Sequence, residues 1–319
     1  MSGRIVALGG GHGLYASLTA LRSLTEDLTA IVTVADDGGS SGRLREEMGI
    51  LPPGDLRMAL SALCEDTEWG RTWRDVLQTR FATAGPLDGH ALGNLLIAAL
   101  WTRNSDVVEG LDWVGRLLRS RGRVLPLAQE PLAISAVTDG PDGPRVVQGQ
   151  AAVATAPGHV RGLAIEPAHP EVPPATLQAI ADADMVVLGP GSWYTSVLTH
   201  FLVDPVAEAL VAAGPRTVVA LNIAYEDLET AEQGRADDVR ALRAAAPGLR
   251  PALIVADASH RDDEDLVAEA AAWGVPLRFA PLLLEGTTDR HDPELLAREF
   301  AAAFARLMGD ADAAPGMAG

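Results

Sequence analysis

The chain has 319 residues, 48 % of them hydrophobic and 4 % aromatic, with a formal net charge of −18. That length and apolar content suffice for one large α/β core built on Ala, Val and Leu, whereas so acidic a surface repels phosphate backbones and anionic lipid heads, which argues against nucleic-acid and membrane-surface roles. The one cysteine, Cys64, excludes an intrachain disulfide framework or cysteine metal cluster and fits a reducing compartment.

The first apolar stretch, residues 5–8, is too short for a secretory h-region, and no run approaches the ~20 apolar residues of a membrane span. A soluble cytoplasmic protein without membrane insertion is expected. Residues 4–8 (RIVAL) read as a strand, GGGHG (9–13) as a tight turn, 14–24 as a helix and 29–35 (TAIVTVA) as a second strand. That is a βαβ unit, and parallel strands so joined need the crossover helix. DDGGSSGRLR (36–45) reads as a loop too polar for the core. Pro52-Pro53-Gly54 then breaks the chain, with Asp55 as the expected N-cap of the next helix. Residues 89–101 and 107–118 are the clearest helical segments that follow.

The pattern changes near Val124. Short alternating runs at 134–137, 145–150 and 160–165 are split by Asp139-Gly140-Pro141-Asp142-Gly143-Pro144 and by Pro157-Gly158. They predict an antiparallel β insertion over about 124–166. A buried strand resumes at 184–188, followed by a second glycine loop, GPGSWYTS (189–196), and a helix running through Val211. Further strands are expected at 217–221, 252–256 and 277–279, and helices at 238–246, 264–273 and 293–308. The expected whole is one α/β domain over 1–308, a Rossmann-like doubly wound, mostly parallel sheet with a small antiparallel insertion. The Ala/Gly/Pro/Asp tail, 309–319, is expected to be disordered.

Two loops carry the chemistry. GGGHGLYA fits G-x-G-x-x-A through Gly11, Gly13 and Ala16, between a strand and a helix start, the context of a phosphate-binding turn. A plain tight turn is the competing explanation. Asp36-Asp37, a little over twenty residues beyond Gly13, suits ribose hydroxyls or Mg²⁺ beside a diphosphate, and a solvated acidic turn is the bland alternative. In the second loop Ser192, Thr195 and Ser196 present hydroxyls at a helix N-terminus, where capping competes with ligand binding. Ligands of such sheets sit beyond the carboxyl ends of the strands, so both loops are expected to face one crevice. Gly38-Gly39-Ser40-Ser41-Gly42 fits the G-x-S-x-G of a hydrolase elbow, but its polar flanks and neighbouring aspartates oppose an oxyanion. Scattered histidines give no zinc spacing, no protein metal site is expected, and no G-x-x-x-x-G-K-[ST] is present.

In this order, VALGGGHGLYASL, AIVTVADDGGSSGRLR, PPGDLRMAL, GHALGNLLIAAL and VVLGPGSWYTSVL closely resemble the bacterial gluconeogenesis-factor (YvcK-like) family. GGGHGLYA and DLRMAL are similar to its actinobacterial branch. The likeness is strong to about Asn222 and weaker to HDPELLA. It implies a Rossmann-like fold related to 2-phospho-lactate transferases. It also implies binding of UDP-N-acetylglucosamine or a related UDP-sugar, and a role in carbon partitioning, cell-wall precursor supply and cell shape. Carried over residue by residue, it implies ligand contacts at Gly10, Gly11, His12, Gly13, Asp36, Asp37, Ser40, Ser41, Arg43, Asn94, Gly189, Gly191, Ser192, Thr195 and Asn222. Where the family commonly has Pro-Gly-Glu-Thr, this chain reads Glu226-Asp227-Leu228-Glu229-Thr230, and Arg290-His291-Asp292 resembles a family segment reaching the sugar-nucleotide.

The reading that follows is a non-catalytic UDP-sugar-binding regulator needing no cofactor. The alternative is a phosphoryl or nucleotidyl transferase using Mg²⁺ at Asp36 or Asp37. An NAD-type dehydrogenase is weaker, since no catalytic His or Lys can be placed. A homodimer is compatible with the sequence.

Overall fold

The computed structural model describes residues 3–104, 106–140, 143–156, 159–224 and 234–309. The tail beyond 309 and the variant stretch Glu226–Thr230 lie outside the described residues. In chain order the first strands are β1 (Ile5–Gly9), β2 (Leu28–Val32) and β3 (Arg123–Pro126). The strands β4 (Ala133–Gly140), β5 (Gly143–Gln148) and β6 (Val160–Glu166) come next. Last are β7 (Met185–Leu188), β8 (Thr217–Ala220), β9 (Leu253–Asp257) and β10 (Leu277–Ala280). Seven of them form one parallel sheet in the order β10-β9-β8-β7-β1-β2-β3. Every residue of β1, β7, β8 and β9 is buried, as befits strands covered on both faces, and their sequences are accordingly apolar runs except for Thr217 at the start of β8 and Asp257 at the end of β9.

The order defines where a ligand can sit. β1 lies between β2 and β7, with Ile5 paired to both Leu28 and Met185. The chain winds outward through β2 to β3 on one side and through β8 to β10 on the other. Between β1 and β7 the winding direction reverses, and the loops leaving their carboxyl ends diverge to leave a crevice.

The helices are α1 (Gly11–Leu21), α2 (Gly39–Met48), α3 (Gly54–Ala62), α4 (Glu68–Gln78), α5 (Leu92–Arg103), α6 (Val107–Leu118), α7 (Gln150–Ala154) and α8 (Pro174–Asp182). They continue with α9 (Asp204–Ala212), α10 (Arg235–Ala245), α11 (Glu264–Trp273) and α12 (Pro293–Leu307). No single helix among the described residues is long and apolar enough to cross a membrane.

The predicted doubly wound sheet and antiparallel insertion are both present, with four local differences. Residues 124–126 belong to the main sheet, where β3 pairs in parallel with β2, so the three-stranded insertion (β5-β4-β6) begins at Ala133. β3 is four residues long, too short to show a period. The polar run after β2 is not a loop: it becomes α2, with Ser40, Ser41 and Leu44 buried. Asp55 is not a cap, because the helix begins one residue earlier at Gly54. The expected helix through Val211 is broken into a π-turn (Trp193–Val197), a 3₁₀ turn (Leu198–Leu202) and α9. Pro205, in the first turn of α9, has no N–H to donate to the carbonyl of Phe201 four residues back and its ring would crowd that carbonyl, so the helix cannot run continuously through Val203.

Candidate functional site

The first wall is the turn from β1 into α1. Gly10 is extended (φ −159°, ψ 170°) and Gly11 is left-handed (φ +56°), a conformation that favours glycine. A Cβ on Gly10 would lie 2.6 Å from Asp55 Oδ2 and 2.7 Å from Thr33 Oγ1, and one on Gly13 would overlap the Pro190 carbonyl and the Gly191 backbone. Gly10 and Gly13 thus serve close approach, Gly11 backbone geometry. The α1 N-terminus has no side-chain cap within its own turn and no acidic residue in its first turn. Apart from the Gly11 amide, which donates to Asp55, its amides and dipole are presented toward an incoming anion.

The second wall is the turn after β7. Gly189 (φ +74°) and Gly191 (φ +142°) need positive φ. Two side chains hold this turn against α1 and β8. Ser17 Oγ donates to the Gly189 carbonyl at 2.7 Å. Asn222 accepts from the Gly191 amide at 2.9 Å and donates to the Gly191 carbonyl at 2.8 Å, pairing with that residue as a strand neighbour would. The π-turn decides which hydroxyls face the crevice. In an α-helix both Thr195 and Ser196 would fall near the face of Ser192, but the wider turn keeps Ser196 with Ser192 on the crevice and rotates Thr195 off it. Thr195 is fully buried, its Oγ1 without a hydrogen-bond partner.

These loops meet across a crevice of about 570 Å³. It is lined by Gly10, Gly11, His12, Gly13, Gly191, Ser192 and Asn222, as the motifs predict. Ser196, whose hydroxyl the second loop offered to capping or to a ligand, lines it too, and so do Tyr15, Asp55, Gln150, Leu284 and Asp289, which no motif marked as ligand contacts. Arg290 and His291 of the weakly resembling segment line it as well. His291 is buried with Nε2 on the Leu221 carbonyl at 3.2 Å, and burial lowers its pKa to about 4, so the ring is neutral there.

Asp55 lies half-buried on the crevice floor. Burial, and then the nearby Asp36 charge, push its carboxyl up to about 7, against the opposing effects of a hydrogen bond from the Gly11 amide and of Arg57. A legible signal was available: Asp55 stands at a helix start, where a carboxylate is favoured either as cap or as site residue.

The aspartate loop divides. Asp36 Oδ1 accepts from the Gly38 amide at 2.9 Å, and its other oxygen packs against Gly54. Asp37 faces away and accepts from the Ala151 amide at 3.0 Å, fastening α7 of the insertion to the domain. Ser40, Ser41 and Asn94 are buried behind the crevice wall rather than on it. Ser40 Oγ is 2.9 Å from His90 Nδ1 and accepts from Asn94 Nδ2 at 3.0 Å. Arg57 Nε donates to Asn94 Oδ1 at 2.9 Å, and Ser41 Oγ accepts from the Gly54 amide at 3.0 Å. Arg43 reaches the carbonyls of Pro86 and Asp88, away from the crevice. The described residues contain no group of three or more His, Cys, Asp or Glu arranged to hold a metal ion.

Residues 5–277 match the family described as 2-phospho-L-lactate transferase CofD. Over 317 residues the chain is 45 % identical to a putative gluconeogenesis factor of Mycobacterium tuberculosis, covering 97 % of this chain and 92 % of that one. It is 39 % identical to the gluconeogenesis factor of Bacillus subtilis, over 75 % of this chain and 74 % of that one. A crystal structure of a UPF0052-family protein from Bacillus halodurans superposes with a TM-score of 0.84 at 31 % identity, covering 94 % of this chain and 99 % of that one.

Proposed function

The chain belongs to the gluconeogenesis-factor family, and on that premise we propose that it is an intracellular regulatory protein that binds a UDP-sugar, UDP-N-acetylglucosamine first among them, between its two glycine loops. The observation that carries this reading is the pairing of those loops at the reversal point of the sheet. There the α1 amides that follow Gly11 meet a turn held open by Asn222, with room for a ligand between them. Diphosphate would lie on the α1 amides. Asp36, beyond β2, would take the ribose hydroxyls. Arg290 at the rim would add a cation for the phosphates or sugar acetamide. In the cell such a protein would divide carbon between gluconeogenesis and cell-wall precursors according to nucleotide-sugar supply, and so influence cell shape.

A regulator rather than an enzyme is favoured by where the one serine–histidine side-chain hydrogen bond described for this chain lies. Among the described residues the Ser40–His90 pair is buried behind the wall, with Ser40 also engaged by Asn94. UDP-N-acetylglucosamine is expected to raise the melting temperature more than NAD, GDP or ATP at equal concentration. A ligand at 100 times its Kd adds ~2.7 kcal/mol, an easily read shift. The nucleotide should be recovered intact after incubation with Mg²⁺. A larger shift with NAD or GDP, or release of UMP or UDP seen by chromatography, would overturn the proposal.

The transferase reading draws on a different observation. Asp37 is committed to α7, but Asp36 lies close enough to Asp55 to raise its pKa, a carboxylate pair whose charges a divalent cation would compensate. Asp36 and Asp55 would hold such an ion, and it would supply neutralisation of a diphosphate. Calorimetric titration of wild type and Asp36→Ala, with Mg²⁺ and with EDTA, separates the two. For ribose recognition the variant loses ~1.5–3 kcal/mol, about 10–100-fold in affinity, equally in both buffers. A loss confined to the Mg²⁺ buffer favours the cation and the transferase chemistry that uses it.

A further inference from the structure

The insertion sheet and α10 enclose a second cleft, of about 600 Å³, that shares no lining residue with the nucleotide crevice. β6 forms one wall, α10 the other, and Tyr194, Leu198 and Leu202 the floor. Tyr194 and Leu198 belong to the same turns that present Ser192 and Ser196 to the crevice. The cleft therefore lies on the reverse of the second glycine loop.

Residue size keeps this space open. α10 packs Val239 and Leu242 into the core. The stripe it turns toward the cleft is Arg240, Ala241, Ala244 and Ala245, spaced three and four apart as one helical face requires. Three of these four are alanine, too short to reach Leu163 of β6 or Leu198 of the floor. What remains is an aliphatic hollow closed on three sides, of the volume that takes a small molecule.

The rim decides the polar end of such a molecule. Arg161 donates through Nε to both oxygens of Asp139, at 2.6 and 2.7 Å. Arg240 donates through Nη1 to Asp237 and through Nε to Glu269 at 3.0 Å. The second Asp237 oxygen accepts from the Gly234 amide at 2.9 Å. Each oxygen of the two rim aspartates thus already accepts a hydrogen bond. The Nη groups of Arg161 and Nη2 of Arg240 keep their donors unused among the described residues, and both guanidiniums are more than half exposed. A ligand matches this rim by bringing acceptors, and a carboxylate fits the guanidinium fork.

We propose that the cleft between β6 and α10 is a second ligand site, for a small aliphatic carboxylate whose chain lies over Leu163, Leu198 and Leu202 and whose head meets Arg161 and Arg240. The site does not depend on what the nucleotide crevice holds.

Calorimetric titration with octanoate, decanoate and octylammonium tests this. Octanoate should bind, and decanoate about tenfold more tightly, since each buried methylene adds ~0.8 kcal/mol. Octylammonium carries the same chain as octanoate and should bind at least tenfold more weakly, although a net charge of −18 attracts cations in general. Arg161→Ala and Arg240→Ala should each weaken both carboxylates about fivefold and leave the ratio of decanoate to octanoate unchanged, because different residues hold head and chain. Ala244→Trp, at an exposed position, should abolish binding by filling the cleft. Trp113→Ala, which removes the exposed tryptophan of α6, should leave binding unchanged. Unchanged melting of the free variants shows that each is folded. Absence of binding by both carboxylates, octylammonium binding as tightly as octanoate, affinity indifferent to both arginine variants, binding that survives Ala244→Trp, or binding lost in Trp113→Ala would each overturn the proposal.

Discussion

At Asp55 a carboxyl group is held where neither its burial nor its neighbour Asp36 favours the charge. In the folded protein it titrates at about 7, against an ordinary value of 3.8. Between those values the folded chain holds a proton that the unfolded chain has released. Stability therefore falls as pH rises through that window, and the full penalty is present above about 7. His291 has the opposite sign, since its neutral form is favoured, so total stability against pH mixes the two. Comparison with Asp55→Asn isolates the carboxyl. The variant should melt close to wild type in mild acid and higher than wild type at alkaline pH. Thermal melts of both proteins across pH check this, and parallel curves would show that Asp55 is not strained. Sequence reading saw Asp55 only as a cap, because its charge environment comes from α1 and the Asp36 loop, both distant along the chain.

Two asparagines show how the same residue type does different work on different elements. Asn222, after β8, clamps the Gly191 backbone through both ends of its amide. Asn94, in α5, joins Arg57 to Ser40 inside the wall. Asn222→Ala should loosen the second loop, weakening UDP-sugar binding by about tenfold for the ~1.4 kcal/mol of two lost hydrogen bonds, with little change in melting. Asn94→Ala should do the reverse. It leaves Arg57 Nε and Ser40 Oγ short of a partner in a buried network, costing ~1–3 kcal/mol of stability while affinity is kept. Paired calorimetry and denaturant unfolding read both quantities, and loss of binding in Asn94→Ala would put that side chain back among the ligand contacts. The same contrast explains the run at 36–45. Its serines look like loop residues, yet they are buried in α2 because His90, Asn94 and the Gly54 amide satisfy their hydroxyls.

For the molecule as a whole, a net charge of −18 opposes compaction. Salt should therefore stabilise it. As the screening length shrinks from ~30 Å at 0.01 M to ~8 Å at 0.15 M, the melting temperature should rise, and a fall would mean that attractive ion pairs outweigh the repulsion. The doubly wound class was legible because parallel strands buried on both faces read as near-continuous apolar runs, and β1, β2, β7, β8 and β9 do so but for Thr29, Thr217 and Asp257. The glycine loops were legible because Gly11, Gly189 and Gly191 need positive φ, and Gly10 and Gly13 need the space of a side chain. These are local demands, written in consecutive residues. The tertiary structure alone decided which groups meet. It paired β3 with β2 and turned Thr195 inward through a π-turn. It also spent Asp37 on α7 and brought Asp55, Ser196 and Arg290 to one crevice. Such contacts join residues up to a few hundred positions apart, and no local period or propensity encodes them, because only the closed sheet sets their distances.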